Sequence, residues 1–316
     1  MGEDPHAAAR AFATAVNAKL AQSHRKDIYI YTHGYKVVFE SPVLVAAELW
    51  HFLGYDGVFI AYSWPSTPSR WAYLRDTETA AGVARNFRLF LEYLAEETTA
   101  ERIHIIGYSA GTRLVARALE QLALLNDERT AKEIFVDLRI DHVILVGSDL
   151  DRQVFAAYLA DGLLKVPRHL SIYVSEKDSA LSLARFLTRR ERLGQMWIKE
   201  MSASVADYLY QNEAEVSVIN VTEAKWATGG NGHDYFRRSP WASSDILATL
   251  AYDLSPVDRG LVRTEDSPVW RFPVDYIKRL RVALIKNNPE LAPAREKHEP
   301  RESQQRLKSM EPPEYE

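Results

Sequence analysis

Along the chain, short β-branched or aromatic runs alternate with longer stretches whose apolar positions recur every three or four residues. Six runs read as strands: DIYIYT from Asp27, GVFIAYS from Gly57, RIHIIGY from Arg102, IDHVILVG from Ile140, LSIYVS from Leu170 and EVSVINV from Glu215. Helical spacing fills most gaps, first in AAARAFATAVNAKLAQ and then from near Pro42, Asp76, Ala110, Asp151, Ala180 and Ser243. The alternation predicts an α/β protein: a mostly parallel, doubly wound sheet with helices on both faces.

Two stretches depart from the alternation. Residues 180–213 are longer than one crossover helix needs, which makes them a candidate lid or pocket wall. Met196, Trp197, Met201, Tyr208 and Tyr210 lie there, and their helical spacing suits core packing better than a site. From Pro289 the chain has five prolines and 12 charged residues in 28, with Tyr315 its only aromatic, so it has too little apolar surface to offset ordering entropy. Residues 289–316 are therefore expected to be a disordered charged tail, and 1–288 a single domain with its core over about 10–255. Just before the tail, DYIKRLRVALIKN is a basic amphipathic segment, expected to dock on the domain rather than on a membrane.

Composition narrows the chemistry. The chain has 316 residues, 47% of them hydrophobic, enough for a sizeable core, and a formal charge of -4 gives no basic footprint for nucleic acid. The absence of cysteine excludes disulfides, thiolate catalysis and Cys-ligated zinc together. No apolar run is long enough to span a membrane, and no secretory signal pattern opens the sequence. The chain reads as soluble, either cytoplasmic or exported with its signal removed.

One strand-to-helix junction carries chemistry. In IHIIGYSAGTRLV, Ser109 stands between Gly107 and Gly111, with a strand before it and a helical pattern after it. A turn sharp enough to lift a serine above a sheet strains the backbone and crowds the positions two residues to either side, where glycine relieves the collision. Ser109 is thus a candidate nucleophile; the competing role is a helix cap.

A serine nucleophile needs a base, and the base an orienting acid. Of the nine histidines, His6, His24, His33 and His51 precede Ser109, His104 and His142 lie inside strands, His169 starts one, and His298 is in the tail. His233, in TGGNGHDYF after the sixth strand, remains as the base. The preferred acid is Asp178, which follows the strand immediately before the histidine loop; Asp149 and Asp151 are the alternatives. The amides of Ala110 and Tyr35 would form an oxyanion hole, with Gly34 permitting close approach and His33 architectural. Trp64, Trp71, Tyr73, Trp226, Tyr235 and Phe236 fall in loops at the same sheet edge and are candidate pocket residues. Gly229, Gly230 and Gly232 make no phosphate-loop pattern.

With HGY, GYSAG, a late Asp and GHDYF assembled in order, the sequence resembles the α/β-hydrolase superfamily, and within it a bacterial esterase/lipase-like branch catalogued as a domain of unknown function. The matches are His33 to Tyr35, the SWPS of Ser63 to Ser66 with Tyr73 and Asp76, the elbow Tyr108 to Gly111, Asp149 and Asp151, Asp178 to Leu181, and Gly232 with His233. The branch usually has His and Met where this chain has Tyr108 and Ala110, which alters the shape beside the nucleophile. The resemblance covers roughly residues 10 to 255 and implies an α/β-hydrolase fold, with the first edge strands of the sheet expected to be missing. It also implies a serine hydrolase that needs no metal or organic cofactor and takes a small-molecule ester. Thioesterase, peptidase or acyltransferase action on the same triad, or a binding protein on a hydrolase frame, are the alternatives.

Overall fold

The computed structural model describes residues 5–34, 40–65, 82–188, 190–195, 201–228 and 232–291. Seven strands, β1 (Asp27–Thr32), β2 (Val58–Tyr62), β3 (Arg102–Tyr108), β4 (Ile140–Val146), β5 (His169–Val174), β6 (Val216–Asn220) and β7 (Val269–Arg271), form one sheet. Their order is β2-β1-β3-β4-β5-β6-β7 and every pairing is parallel. The six expected strands are present; β7 is a seventh. Among the described residues no strand pairs with the outer edge of β2.

The helices are α1 (Pro5–Gln22), α2 (Glu40–Phe52), α3 (Ala84–Glu97), α4 (Gly111–Leu125), α5 (Ala131–Leu138), α6 (Arg152–Ala160), α7 (Ser179–Thr188), α8 (Ala203–Gln211), α9 (Tyr235–Arg238), α10 (Pro240–Tyr252) and α11 (Tyr276–Asn287). Strand periodicity divides them between two layers. Ile28 and Ile30 of β1 face a core with Leu20, Phe87, Leu91, Leu114 and Ile134, whereas the alternate Tyr29 and Tyr31 face Val45, Leu49, Ile246 and Tyr276. Helix α11 docks through Tyr276 and Leu280 and leaves Lys278, Arg279 and Arg281 outside, as its amphipathic pattern requires. Within 180–213, Met201 and Tyr208 pack against the core, and Tyr210 donates to Glu265 O. Met196 and Trp197, residues 76–81 at the start of one expected helix, and the tail from 292 lie outside the described residues. Among the described residues no helix is long and apolar enough to cross a membrane.

A buried polar knot ties α10 and α11 to the sheet. Asp245 accepts from Arg259 Nε (2.7 Å), Tyr173 Oη (2.6 Å) and Tyr276 Oη (2.8 Å), and all four side chains are buried. A buried ion pair is a poor source of net stability, but removing one partner strands the other charge in a dry interior. Arg259→Met is therefore expected to cost ~3–5 kcal/mol in equilibrium urea unfolding, and the double variant with Asp245→Leu, which also leaves the Tyr173 and Tyr276 hydroxyls without their acceptor, to lose less than the sum of the two single losses. Additive losses would mean that the pair is not coupled.

At the amino-terminal ends of the strands, Tyr29, His104 and His142 stack across β1, β3 and β4 at 5.0 and 5.6 Å, and His169 of β5 meets His142 edge-on at 6.1 Å. Around this row Asp27 pairs with Arg102 (3.0 Å), Asp141 with Arg168 (2.6 Å), and Asp253 with both His142 (2.7 Å) and Arg168 (2.5 Å). Burial lowers the His169 imidazole to about 4, against the bond to Ala214 O, and lowers His104 too. Between pH ~6.5 and ~4 the unfolded chain takes up the His169 proton before the folded one, so stability falls on acidification through that window, by ~3 kcal/mol from this residue. Urea midpoints measured from about pH 7 down to about pH 4 should show this slope, and His169→Gln should flatten it. An unchanged slope would exclude His169 as its source.

Candidate active site

The junction of β3 with α4 folds as the glycine spacing demands. Ser109 has φ 53°, in the left-handed region, so its backbone turns sharply before Gly111 starts the helix. Thr112 fastens the turn, both its N-H (3.0 Å) and its Oγ1 (2.6 Å) donating to Ser109 O, while Ser109 N-H donates to Val146 O (2.9 Å). The two glycines act differently. A Cβ on Gly111 would lie 2.4 Å from His33 O, an impossible approach, whereas one on Gly107 would press on Val115 and Thr112 at 3.1 and 3.3 Å. A Cβ on Gly34 would come 2.9 Å from the Ser109 Cβ, which brings the His33-Gly34 loop against the serine. Ala110 is buried at the start of α4, whose amino-terminal end favours negative charge. Tyr35 lies outside the described residues.

His33 and Trp64 lock that loop. Their rings stack at 5.2 Å, Trp64 Nε1 donates to His33 O (2.8 Å), and the Trp64 N-H donates to His33 Nε2 (3.2 Å). An accepting Nε2 leaves Nδ1 as the donor to Gly34 O, 2.7 Å away. Trp64 is thus buried behind the loop.

On the other side, His233 Nδ1-H donates to Asp178 Oδ2 at 2.6 Å, and Asp178 Oδ1 accepts from Leu181 N-H at 3.0 Å. With Nδ1 holding a proton, the neutral ring keeps Nε2 as an acceptor. The carboxylate is wholly buried and the imidazole nearly so. Two glycines make room for them. Gly232 (φ 68°) crosses so near the acid loop that a Cβ would meet Lys177 O at 2.7 Å, and Gly147 (φ 54°) lies under the ring, 3.0 Å from Cε1 for the same hypothetical atom. Gly147 carries no motif, and a glycine closing a strand was its only signal in the sequence. The Tyr108 ring sits 5.1 Å from the His233 ring, bringing the residue before Ser109 against the imidazole. Burial, reinforced by Tyr31, Asp234 and Asp178, raises the Tyr108 phenol well above its usual value, so it stays protonated.

The alternative acids have other partners. Asp149 is gripped by Arg113 (Nε to Oδ2, 3.1 Å) and lies 3.4 Å from Arg192 Nε. Asp151 caps α6, accepting from the N-H groups of Gln153 (2.9 Å) and Val154 (3.2 Å). Among the pocket candidates, Tyr235 is buried, its hydroxyl accepting from Gly147 N-H (2.7 Å) and donating to Tyr173 O (2.8 Å). Trp226 is 64% exposed with φ 63°. It borders a cavity of ≈ 290 Å³ whose wall is mostly apolar, with Leu49, Phe52 and Phe236, but also carries Glu48, Arg237 and Arg238. Trp71 and Tyr73 lie outside the described residues. A larger cavity, ≈ 690 Å³, is lined by Ser217, Arg263, Trp270 and Arg279, away from Ser109.

The described residues also bring Asp141, His142 and Asp253 within 4.8 Å of one another, a set able to ligate a cation. Arg168 already bonds both carboxylates there, at 2.6 and 2.5 Å, so a guanidinium balances their charge.

The sequence profile described as alpha/beta hydrolase of unknown function (DUF900) matches residues 8–249. No curated protein matches the chain. Among solved structures it is similar to esterase B of Lactobacillus rhamnosis, with 14% identity over 73% of this chain and 77% of that one and a TM-score of 0.39. It is similar also to an esterase of Thermogutta terrifontis (14% identity, 74% and 84% covered, TM-score 0.38) and to a predicted CIB-like hydrolase of Thermoplasma acidophilum (14%, 73% and 88%, TM-score 0.39).

Proposed function

Because the chain belongs to the family of alpha/beta hydrolases of unknown function, matched over residues 8–249, we propose that it is a serine carboxylesterase acting on short-chain or apolar acyl esters. Ser109 Oγ attacks the ester carbonyl carbon while His233 Nε2 takes its proton. The Ala110 and Tyr35 amides hold the oxyanion, and the imidazolium returns the proton to the departing alkoxide as the C-O bond breaks. Water, deprotonated by the same imidazole, then attacks the acyl-serine, and the acid and free serine are released. Asp178 keeps Nδ1 protonated and the ring aimed throughout. No metal or organic cofactor enters this sequence of steps.

One observation carries the proposal: the 2.6 Å bond from His233 to a fully buried carboxylate, on an imidazole that lies against the residue preceding a left-handed serine. The preference for apolar acyl groups draws on the mostly apolar cavity bordered by Trp226 and Phe236, whose Phe236 ring also meets that of Tyr108 at 4.9 Å. A chain-length series of p-nitrophenyl esters, followed by intact mass of the protein, tests both points. Hydrolysis with a transient acyl mass on the wild type supports the proposal. Activity on thioesters or peptides alone would move the substrate class, and failure to react with a fluorophosphonate would leave a binding protein on a hydrolase frame.

A further inference from the structure

Between α7 and α8, residues 190–195 run back across the rim that carries Ser109 and Asp178. Main-chain bonds stitch them to both sides. Gly194 N-H donates to Ser148 O and Leu193 N-H to Leu150 O, each at 2.8 Å, on the β4 side, while Ser175 N-H donates to Gly194 O at 2.9 Å on the β5 side. A Cβ on Gly194 would come 2.3 Å from Ser148 N, so the crossing admits only glycine.

Two buried polar side chains reach outward from this stitch. Arg192 Nη1 donates to Asp149 O at 3.0 Å and its Nε lies 3.4 Å from the Asp149 carboxylate. Arg113 of α4 holds the same residue from the opposite side, with Nη2 at 2.8 Å from Asp149 O. Asp149 is only two residues beyond Gly147, and its N-H approaches Ser109 O at 3.5 Å. On the other flank, Gln195 Nε2 donates to Asp178 O at 3.3 Å and to Ser182 Oγ at 2.5 Å. Through Arg192 and Gln195 this short crossing thus touches both Asp149, which backs the serine turn, and the main chain of Asp178. A buried guanidinium is an expensive way to stabilise a fold, but it fixes geometry well.

We propose that residues 190–195 are a strap that sets the spacing between the Ser109 turn and the Asp178 loop, with Arg192 and Gln195 as positioning residues for the hydrolytic reaction. The inference rests on Ser109, His233 and Asp178 being the reacting groups. Small displacements matter here, because an error of about 1 Å in a reacting group can cost on the order of a hundredfold in rate.

Gln195→Met keeps the side-chain volume and removes the amide. It is expected to lower kcat on p-nitrophenyl butyrate roughly tenfold to a hundredfold with KM changed less than about twofold. The far-downfield proton resonance of the His233-Asp178 hydrogen bond should shift or broaden. Arg192→Lys keeps the charge but replaces the rigid fork, whose Nη1 and Nε face the Asp149 carbonyl and carboxylate, by a single ammonium on a flexible stem, so it carries the same expectation if the first variant fails to fold. An unchanged kcat overturns the strap, and so does a lower kcat with an unmoved resonance, which marks mere loss of folded protein. If Ser109→Ala kept wild-type activity, the reaction assignment would fall while the resonance still decided the strap.

Discussion

Replacing Ser109 by alanine should lower kcat on an activated ester by roughly 10⁴-fold to 10⁶-fold while the protein remains folded. The size follows from what is removed: the one atom that forms the covalent bond in the proposed mechanism. Activity left by the oxyanion donors and by substrate binding alone accounts for the floor. Folding should survive, because the turn is held by main-chain and Thr112 bonds that do not involve the serine hydroxyl. Alanine also keeps the Cβ that already fits against Gly34. Steady-state kinetics on p-nitrophenyl butyrate, with a urea midpoint for both proteins, make the comparison. A loss smaller than roughly 10⁴-fold would move the nucleophile elsewhere.

Asp178→Asn should cost roughly 10³-fold to 10⁴-fold in kcat, and Asp149→Asn far less. The carboxylate at 178 accepts two bonds, one from Leu181 N-H and one from His233 Nδ1-H. Asparagine has a single acceptor oxygen. If that oxygen stays with Leu181, its NH₂ faces Nδ1 and drives the ring to the tautomer whose Nε2 carries a proton and cannot accept one from serine. At 149 the carboxylate faces Arg113 and Arg192, so its loss perturbs the scaffold without changing the tautomer. Equal and mild effects of the two changes on kcat would rule out Asp178 as the acid.

Much of this architecture was legible in the sequence because long apolar strands leave a clear signature. β1 and β3 to β6 are buried almost throughout. β7 escaped notice since it has three residues, of which only Val269 is buried, and so short an element shows no periodicity. Helix α5 is faint in the sequence for another reason. Its signal existed, a capping box between Thr130 and Glu133, but its eight residues carry only Ile134 and Leu138 into the core. In the candidate site, the glycine spacing around Ser109 is the local mark of its left-handed turn, and strand order places the loop after β6, with His233, against Tyr108. A glycine closing β4 and a surplus of chain over 180–213 were the only local marks of Gly147 and of the crossing at 190–195; that the first lies beneath the imidazole and bonds Tyr235, and that the second bridges two loops, depends on contacts between segments far apart in the chain.

The parallel order of β3, β5 and β6 has a temporal consequence. Ser109 is built before the middle of the polypeptide, whereas the imidazole that would activate it comes from the loop that follows β6. During synthesis the growing chain can therefore complete the β3-turn-α4 unit around Ser109 and the strands up to β6 before that loop has emerged. On the proposed mechanism, hydrolytic competence begins only when residue 233 has left the ribosome and its loop has settled over Gly147, so a nascent chain short of that point would carry no activated hydroxyl.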